Sequence, residues 1–101
     1  MGKELSSLLQ QHAMILVQAL LGVITPNFRM VSVSEISKKI VITIVLEEDS
    51  KSDRDEIDDL VSEFEVLQPK PINFDIEVEI STNELLWPNE STIVVYRRKE
   101  E

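Results

Sequence analysis

Apolar side chains recur at three- and four-residue intervals near the start of the chain, which predicts a helix over residues 3–24. Pro26 follows this segment and cannot continue a helix, because its ring removes a backbone donor and clashes with the preceding turn. The apolar arc widens after Ala13, so we expect the second half of the helix to be covered on more than one side. The periodic positions are Leu5, Leu8, Leu9, His12, Ile15, Leu16, Ala19, Leu20 and Val23.

The interval then changes to two residues, which is typical of a β-strand with one face in the core. Residues 28–34 place Val31 and Val33 on one face, and residues 37–39 (Ser-Lys-Lys) predict a hairpin connection. The next run, IVITIVL over residues 40–46, is rich in β-branched side chains and is typical of a central strand buried on both faces. We therefore expect helices on both sides of the sheet, or another subunit or partner on one side.

The second half of the chain repeats the change from helical to strand spacing. Residues 50–52 include serines that can cap a helix, and the prolines at positions 69 and 71 end it. Residues 72–80 then alternate between apolar and polar side chains, and residues 92–96 predict a last strand. The apolar face of this second helix is marked by Ile57, Leu60, Val61, Phe64 and Leu67.

The predicted element order is α-β-β-α-β-β, within a single domain over residues 1–101. This order predicts an α+β fold of two layers, in which two helices cover an antiparallel or mixed four-stranded sheet. A chain of this length buries enough surface for one core without disulfides or structural metals.

Negative charge is concentrated in one part of the chain. The net charge is −9, and residues 47–65 contain ten acids with only Lys51 and Arg54 as bases, which gives that segment a charge of −8. Acids in a first helical turn interact favourably with the helix dipole, but Glu63 and Glu65 lie near the opposite end. Like charges three or four residues apart along the helix also repel one another. The segment is either a solvated face kept for solubility or a surface that binds a basic partner.

Three further features have both a structural and a functional interpretation, and the structural one is favoured for each. Asp75, Glu77 and Glu79 share one strand face, and they either pair with bases across the sheet or extend the acidic surface. Trp87, flanked by Leu85 and Leu86, either belongs to a cluster that closes the open end of the core or serves as an exposed anchor for a partner. His12, the single histidine, lies on an apolar helix and is expected in the core rather than in catalysis.

Catalysis is not expected from this set of residues. The only glycines are Gly2 and Gly22, which excludes a glycine-rich phosphate loop, and the lack of cysteine excludes thiol chemistry and thiolate ligands. One histidine with scattered acids gives little support for a metal site. We therefore expect no enzymatic activity, no cofactor and no metal.

The longest apolar run, residues 13–24, is interrupted by Gln18 and is too short to span a bilayer. The N-terminal residues lack the pattern of a cleaved signal peptide, and a chain without cysteine fits a reducing compartment. A strongly negative surface also repels nucleic acid and anionic membranes. We expect a cytoplasmic protein that binds neither nucleic acid nor membrane directly.

Three segments together resemble small bacterial immunity proteins of contact-dependent growth inhibition and related polymorphic toxin systems. They are ALLGVITPNFRMVSV at the end of the first helix and beyond, EEDSKSDRDEIDDL at the opening of the second helix, and VVYRRKE near the end of the chain. The resemblance implies a cytosolic protein that binds and neutralises a toxin domain, often an RNase or DNase.

Charge and resemblance favour one function: an immunity or antitoxin-type protein that neutralises a basic toxin domain, such as a nuclease, through an acidic surface. The alternative is a homo-oligomeric structural or small-ligand-binding module, such as a homodimer, without a toxin partner. A nucleic-acid mimic that blocks a DNA-binding protein shares the same acidic character. The predicted partner-binding residues are Glu47, Glu48, Asp49, Asp53, Asp55, Asp58, Asp59 and Trp87.

Overall fold

The computed structural model describes residues 7–88 and 91–100 of the chain. Two helices and four strands follow one another in the predicted order α-β-β-α-β-β, and the strands form one sheet in the spatial order β3-β2-β1-β4. The α+β prediction is therefore confirmed. The bounds are α1 Ser7–Ala19, β1 Phe28–Ile36, β2 Lys39–Leu46, α2 Lys51–Val66, β3 Phe74–Ile80 and β4 Thr92–Arg97.

The helix α1 ends earlier than its apolar spacing predicts, and residues 3–6 of the predicted helix lie outside the described part. The N–H of Leu21 donates to the carbonyl of Gln18, three residues back, at 3.2 Å, so the last turn tightens. Gly22 then adopts a φ of +82°, a left-handed conformation that commonly ends a helix. The apolar periodicity through Val23 therefore continues across a turn, which is why spacing alone overestimated the helix.

A two-residue turn joins β1 and β2 into an antiparallel hairpin. Ser37 and Lys38 form this turn with φ values of +51° and +68°, which give the backbone twist of two-residue hairpin connections. The predicted connection at residues 37–39 is thus confirmed, except that Lys39 already pairs with Ile36 as the first residue of β2.

The strand β3 pairs with β2 in parallel, so α2 is the crossover between them. Ile40 lies opposite Phe74 at one end of this ladder, and Leu46 lies opposite Ile80 at the other. β4 pairs antiparallel with the other side of β1. Within the described residues, β3 and β4 are therefore the two edge strands of a mixed sheet.

Both helices pack on one face of the sheet, which we call the helical face. The loop after β3 covers the opposite face in part, where Leu85 packs against Met30 and Val45. Side chains of β2 are buried on both faces, as predicted, and on the second face Leu85 of the chain's own loop packs against Val45. The side chains fully buried beneath the helices are Leu16, Phe28, Val31, Val33, Ile42, Ile44, Leu46, Leu60 and Phe64.

The outer side of α1 and of the turn that follows it is not covered within the single chain. Met14 and Leu21 are 70% and 77% exposed, and Val17 between them is also exposed. The expectation that the second half of α1 is enclosed on more than one side is therefore wrong for the monomer.

His12 is a core residue, as predicted, with only 4% of its surface exposed. Its ring centroid lies 6.2 Å from that of Phe64 on α2, and its Nδ1 atom has no hydrogen-bond partner among the described residues. Burial lowers the pKa of the imidazole, and the nearby charge of Glu35 offsets part of this effect. The fold therefore disfavours the charged form of the histidine relative to its state in water.

Candidate protein-binding surface

An acidic surface extends from the end of β2 along the exposed side of α2. Ser50 is the N-cap of this helix, and its hydroxyl accepts a hydrogen bond from the N–H of Asp53 at 3.3 Å. The helix buries Ile57, Leu60 and Phe64 on one side, which leaves the acids between them directed away from the core. We define the acidic surface as the exposed carboxylates of Glu47, Glu48, Asp49, Asp55, Asp58 and Asp59.

Asp53 is the predicted contact residue that the fold uses internally. It is 6% exposed, and its two carboxylate oxygens accept hydrogen bonds from the Thr25 hydroxyl at 2.9 Å and from the Asn27 amide at 2.8 Å. Its side chain therefore fixes the start of α2 to the segment before β1. This internal role accounts for an acid in the first turn of α2 without invoking a binding partner outside the chain.

Asn27 also fixes the loop that carries the first acids. Its side-chain amide donates to the carbonyl of Glu48 at 2.8 Å and accepts from the N–H of the same residue at 2.9 Å. Its own carbonyl accepts from the N–H of Glu47 at 2.9 Å. Residues 47–49 are thus held in one conformation by a side chain that the sequence analysis did not single out. The asparagine after Pro26 was the available signal, because asparagine commonly bonds to backbone groups in loops.

Three carboxylates of the acidic surface already have a basic partner. Arg54 binds Asp49 at 2.6 Å, and Lys51 binds Asp55 across one helical turn at 3.3 Å. Arg98 binds the carboxylate of Glu47 at 2.9 Å. Both side chains of the first two pairs are exposed, and pairs of that kind contribute little to stability.

The other three carboxylates, of Glu48, Asp58 and Asp59, form no ion pair within residues 7–88 and 91–100. Asp58 and Asp59 lie on exposed positions of α2, one turn away from Asp55. The negative charge in the middle of the helix is therefore only partly offset, and it is directed into solvent.

A buried arginine lies near residues 47–49, which we call the acidic loop. Arg29 is 4% exposed, and it donates to Glu100 through both Nε and Nη2 at 2.8 Å and to the carbonyl of Ser81 through Nη1 at 2.6 Å. Arg98 joins the same network, with 3.0 Å to Glu100 and 2.9 Å to Glu47. These bonds connect β1, the segment after β4 and the start of the acidic surface. Sequence reasoning missed this network, although Arg29 is the only formally charged residue between positions 5 and 34.

Trp87 lies apart from the acidic surface. It is 66% exposed on the sheet face opposite the helices, and the guanidinium carbon of Arg97 lies 5.0 Å from its ring centroid. Leu85 rather than Trp87 is the loop residue that closes the apolar cluster. The structure therefore does not bring Trp87 together with the acids of α2.

Neither a metal cluster nor a membrane helix is found in the described part of the chain. No three histidine or acidic side chains there converge in a way that would hold a metal ion. No helix there has both the length and the apolar character needed to cross a bilayer.

The comparisons with known proteins identify the family. No curated protein is significantly similar to the chain in sequence. The MafI2 immunity protein family matches residues 10–100, a range that begins within α1 and continues beyond β4. The chain therefore belongs to the MafI2 immunity protein family, and it is a small bacterial immunity protein of a polymorphic toxin system.

Proposed function

We propose that this protein neutralises a basic, nuclease-type toxin domain by binding it through the acidic surface. Family membership supports a toxin as the partner and an inhibitor rather than an enzyme as the role. The observation that carries the choice of surface is the pair Asp58 and Asp59, which are exposed on α2 without a basic partner among the described residues. Cytoplasmic action belongs to the same proposal, because the inhibitor must meet a toxin that acts inside the cell.

The charge of this surface suits a nuclease. An enzyme that cleaves nucleic acid needs a positively charged face to bind phosphates. An acidic protein is attracted to that same face and associates faster than a neutral one, by about 10- to 1000-fold. Blocking the phosphate-binding face then prevents the substrate from entering.

The cost to the helix supports the same interpretation. Asp55 and Asp59 are like charges at i,i+4, a spacing that destabilises a helix by about 0.2–0.5 kcal/mol per pair. Lys51 offsets Asp55 at the N-terminal end, but no base follows Arg54 within α2. Local repulsion that the fold does not relieve is expected where an outside partner relieves it.

The test is the rate of association with the toxin domain encoded beside this gene, measured by surface plasmon resonance at several salt concentrations. The test variant neutralises three acids of the acidic surface, Asp55→Asn, Asp58→Asn and Asp59→Asn. The control neutralises three exposed acids outside it, Glu63→Gln, Glu65→Gln and Glu84→Gln, for the same change in net charge.

We expect the test variant to associate about 10-fold more slowly at low salt and with a weaker salt dependence, and the control to change the rate by less than about 3-fold. Equal effects of the two variants would mean that overall charge, and not this surface, attracts the toxin. Extending the substitution to Glu48→Gln and Asp49→Asn should weaken association further.

Self-association is a second candidate property, and the outer side of α1 favours it. Met14, Val17 and Leu21 form an exposed apolar stripe, and residues 5–28 contain no formally charged side chain. Two copies can therefore pair along α1 without bringing their acids together. Sedimentation at several concentrations tests this: Leu21→Gln should dissociate a dimer, and a wild-type protein that stays monomeric at every concentration would exclude it.

A further inference from the structure

The outer edge of β3 presents unpaired backbone groups. Within the described residues no strand pairs with this edge. The carbonyl of Asn73 accepts from the N–H of Ile40 at 3.4 Å, and the N–H of Ser81 donates to the carbonyl of Leu46 at 3.0 Å. The backbone N–H and C=O groups of successive residues in a strand are directed to opposite sides. Those of the odd-numbered residues between Asn73 and Ser81 are therefore directed toward β2. The N–H and C=O groups of the even-numbered residues, Phe74, Ile76, Val78 and Ile80, are directed outward.

A cavity lined mainly by apolar side chains lies beside the same strand. It has a volume of about 460 Å³ between α2 and β3, and Ile57 and Val61 line it from the helix while Ile76 and Val78 line it from the strand. The two strand residues pack against the core but remain partly exposed. Two charged side chains of opposite sign complete the lining: Arg54, and Asp58 of the acidic surface.

The other face of β3 carries a row of acids. Asp75, Glu77 and Glu79 are all exposed on the face opposite α2. Lys39 binds Asp75 at 3.2 Å, which confirms the predicted cross-strand pairing for that residue. Glu77 and Glu79 form no ion pair within the described part of the chain, so two negative charges remain along the edge.

We propose that the outer edge of β3 binds an extended segment of the toxin as a fifth strand, whose side chains alternate between apolar and basic. This inference rests on the proposed function, since it takes the toxin as the partner. The apolar side chains would enter the cavity beside Ile76 and Val78, and the basic ones would lie opposite Glu77 and Glu79. Backbone hydrogen bonds supply the affinity in this mode of recognition, and alternate side chains supply the specificity.

The acids of β3 favour a basic segment of the toxin over a second copy of this chain as the added strand. An exposed strand edge favours pairing with another strand, and charged side chains are a common protection against that. Two β3 strands side by side would place carboxylates opposite carboxylates, so self-pairing is disfavoured. A strand with basic side chains would instead place opposite charges side by side. Acids that only protected the edge from pairing would not require a cavity lined mainly by apolar side chains beside it. An added strand would place its own apolar side chains in that cavity.

The first test measures amide hydrogen exchange by NMR in the wild-type protein, alone and bound to the toxin domain encoded beside the gene. In the free protein the outward N–H groups of Ile76, Val78 and Ile80 should exchange rapidly, while those of Asp75, Glu77 and Glu79 are protected by β2. Binding should slow the outward set by at least about 10-fold and leave the inward set nearly unchanged. An unchanged outward set in the complex overturns the inference, and so does protection that appears in the free protein as its concentration rises.

The second test compares Val78→Pro with Val78→Ala. Proline at this position removes only an outward N–H, so the ladder to β2 stays intact, but its ring obstructs an added strand. Alanine keeps the N–H and removes similar apolar contact with the cavity. We expect proline to weaken toxin affinity by at least about 30-fold and alanine by about 3-fold, with urea unfolding to verify that both variants fold.

The two proposals fail in different ways. If neutralising Asp55, Asp58 and Asp59 slows association but Val78→Pro binds like Val78→Ala, the acidic surface stands and strand addition is overturned. If the outward amides become protected while that neutralisation has no effect, strand addition stands and docking on the acidic surface is wrong. A wild-type protein without affinity for the toxin domain overturns both.

Discussion

Arg29 and Glu100 meet through two parallel hydrogen bonds of 2.8 Å, although 71 positions separate them in the sequence. The pair ties β1 to the segment that follows β4, and Arg98 extends it to Glu47 at the start of the acidic surface. A guanidinium held on both arms by one carboxylate has a fixed orientation, unlike an isolated surface pair. The network therefore connects the stability of the sheet to the position of the acidic loop.

The first prediction is that Glu100→Gln destabilises the protein in a way that depends on pH. Hydrogen bonds from Arg29 lower the pKa of Glu100 from 4.5 to about 2. Because the folded-state pKa is the lower one, this carboxylate contributes its full stabilisation above pH 4.5 and loses it as the pH falls toward 2. The midpoint of urea unfolding should fall in the variant at pH 7, and the difference from wild type should shrink between pH 4.5 and 2.5.

Glu84→Gln is the control for this substitution, since Glu84 is exposed and forms no ion pair in the described part of the chain. Its unfolding midpoint should follow the wild type across the same pH range. A Glu100→Gln variant as stable as wild type at pH 7 would show that the Arg29 network has no influence on folding.

The second prediction concerns His12, whose pKa is lowered because burial disfavours the charged imidazole. The unfolded chain, with a pKa near 6.5, then binds a proton before the folded chain does, so stability is complete above that pH and declines below it. Thermal melting at pH 7.5 and 5.5 should show a smaller decrease for His12→Leu than for wild type. Equal decreases would mean that the folded protein accommodates the imidazolium, with Glu35 as the nearby compensating charge.

The third prediction separates a structural acid from the exposed acids of the same helix. Asp53→Ala removes the acceptor of the Thr25 hydroxyl and one of the two acceptors of the Asn27 amide, and a loss of this kind costs about 1–3 kcal/mol. Asp55→Ala removes an exposed carboxylate with one weak ion pair and should change the free energy of unfolding by less than about 0.5 kcal/mol. Urea unfolding of both variants is the measurement, and similar losses would contradict the separation.

The order of elements was predictable because each has a strong local pattern: IVITIVL in β2, the strict alternation in β3, and serine with later proline around α2. The parallel pairing of β3 with β2 was not predictable, because apolar and polar side chains alternate in the same way beside a parallel or an antiparallel neighbour. Long-range partners such as Arg29 and Glu100 leave no signal in local spacing. The location of the acidic surface was predictable from charge, but the internal use of Asp53 depends on Thr25 and Asn27, whose approach only the fold determines.

The fourth prediction tests whether Trp87 contributes to toxin binding. The residue lies on the sheet face opposite α2, where Arg97 stacks on its ring, and the proposed docking on the acidic surface does not require contact with it. Trp87→Ala should therefore change toxin affinity by less than about 3-fold, whereas a buried tryptophan anchor typically costs 2 kcal/mol or more, about 30-fold. A loss of that larger size would place the β4 side of the opposite sheet face in the interface, and titration calorimetry distinguishes the two outcomes.

The last prediction concerns the hairpin turn, where a serine and a lysine adopt a left-handed conformation that glycine and asparagine adopt more readily. Ser37 and Lys38 have φ values of +51° and +68°, and left-handed backbone costs about 1 kcal/mol for residues other than glycine and asparagine. Ser37→Asn with Lys38→Gly gives the Asn-Gly sequence preferred in such turns, so the free energy of unfolding should rise by about 1 kcal/mol. Placing Val at both positions, which cannot adopt this conformation cheaply, should lower it. If neither variant moves the urea midpoint, the left-handed conformation of the turn does not limit the stability of the fold.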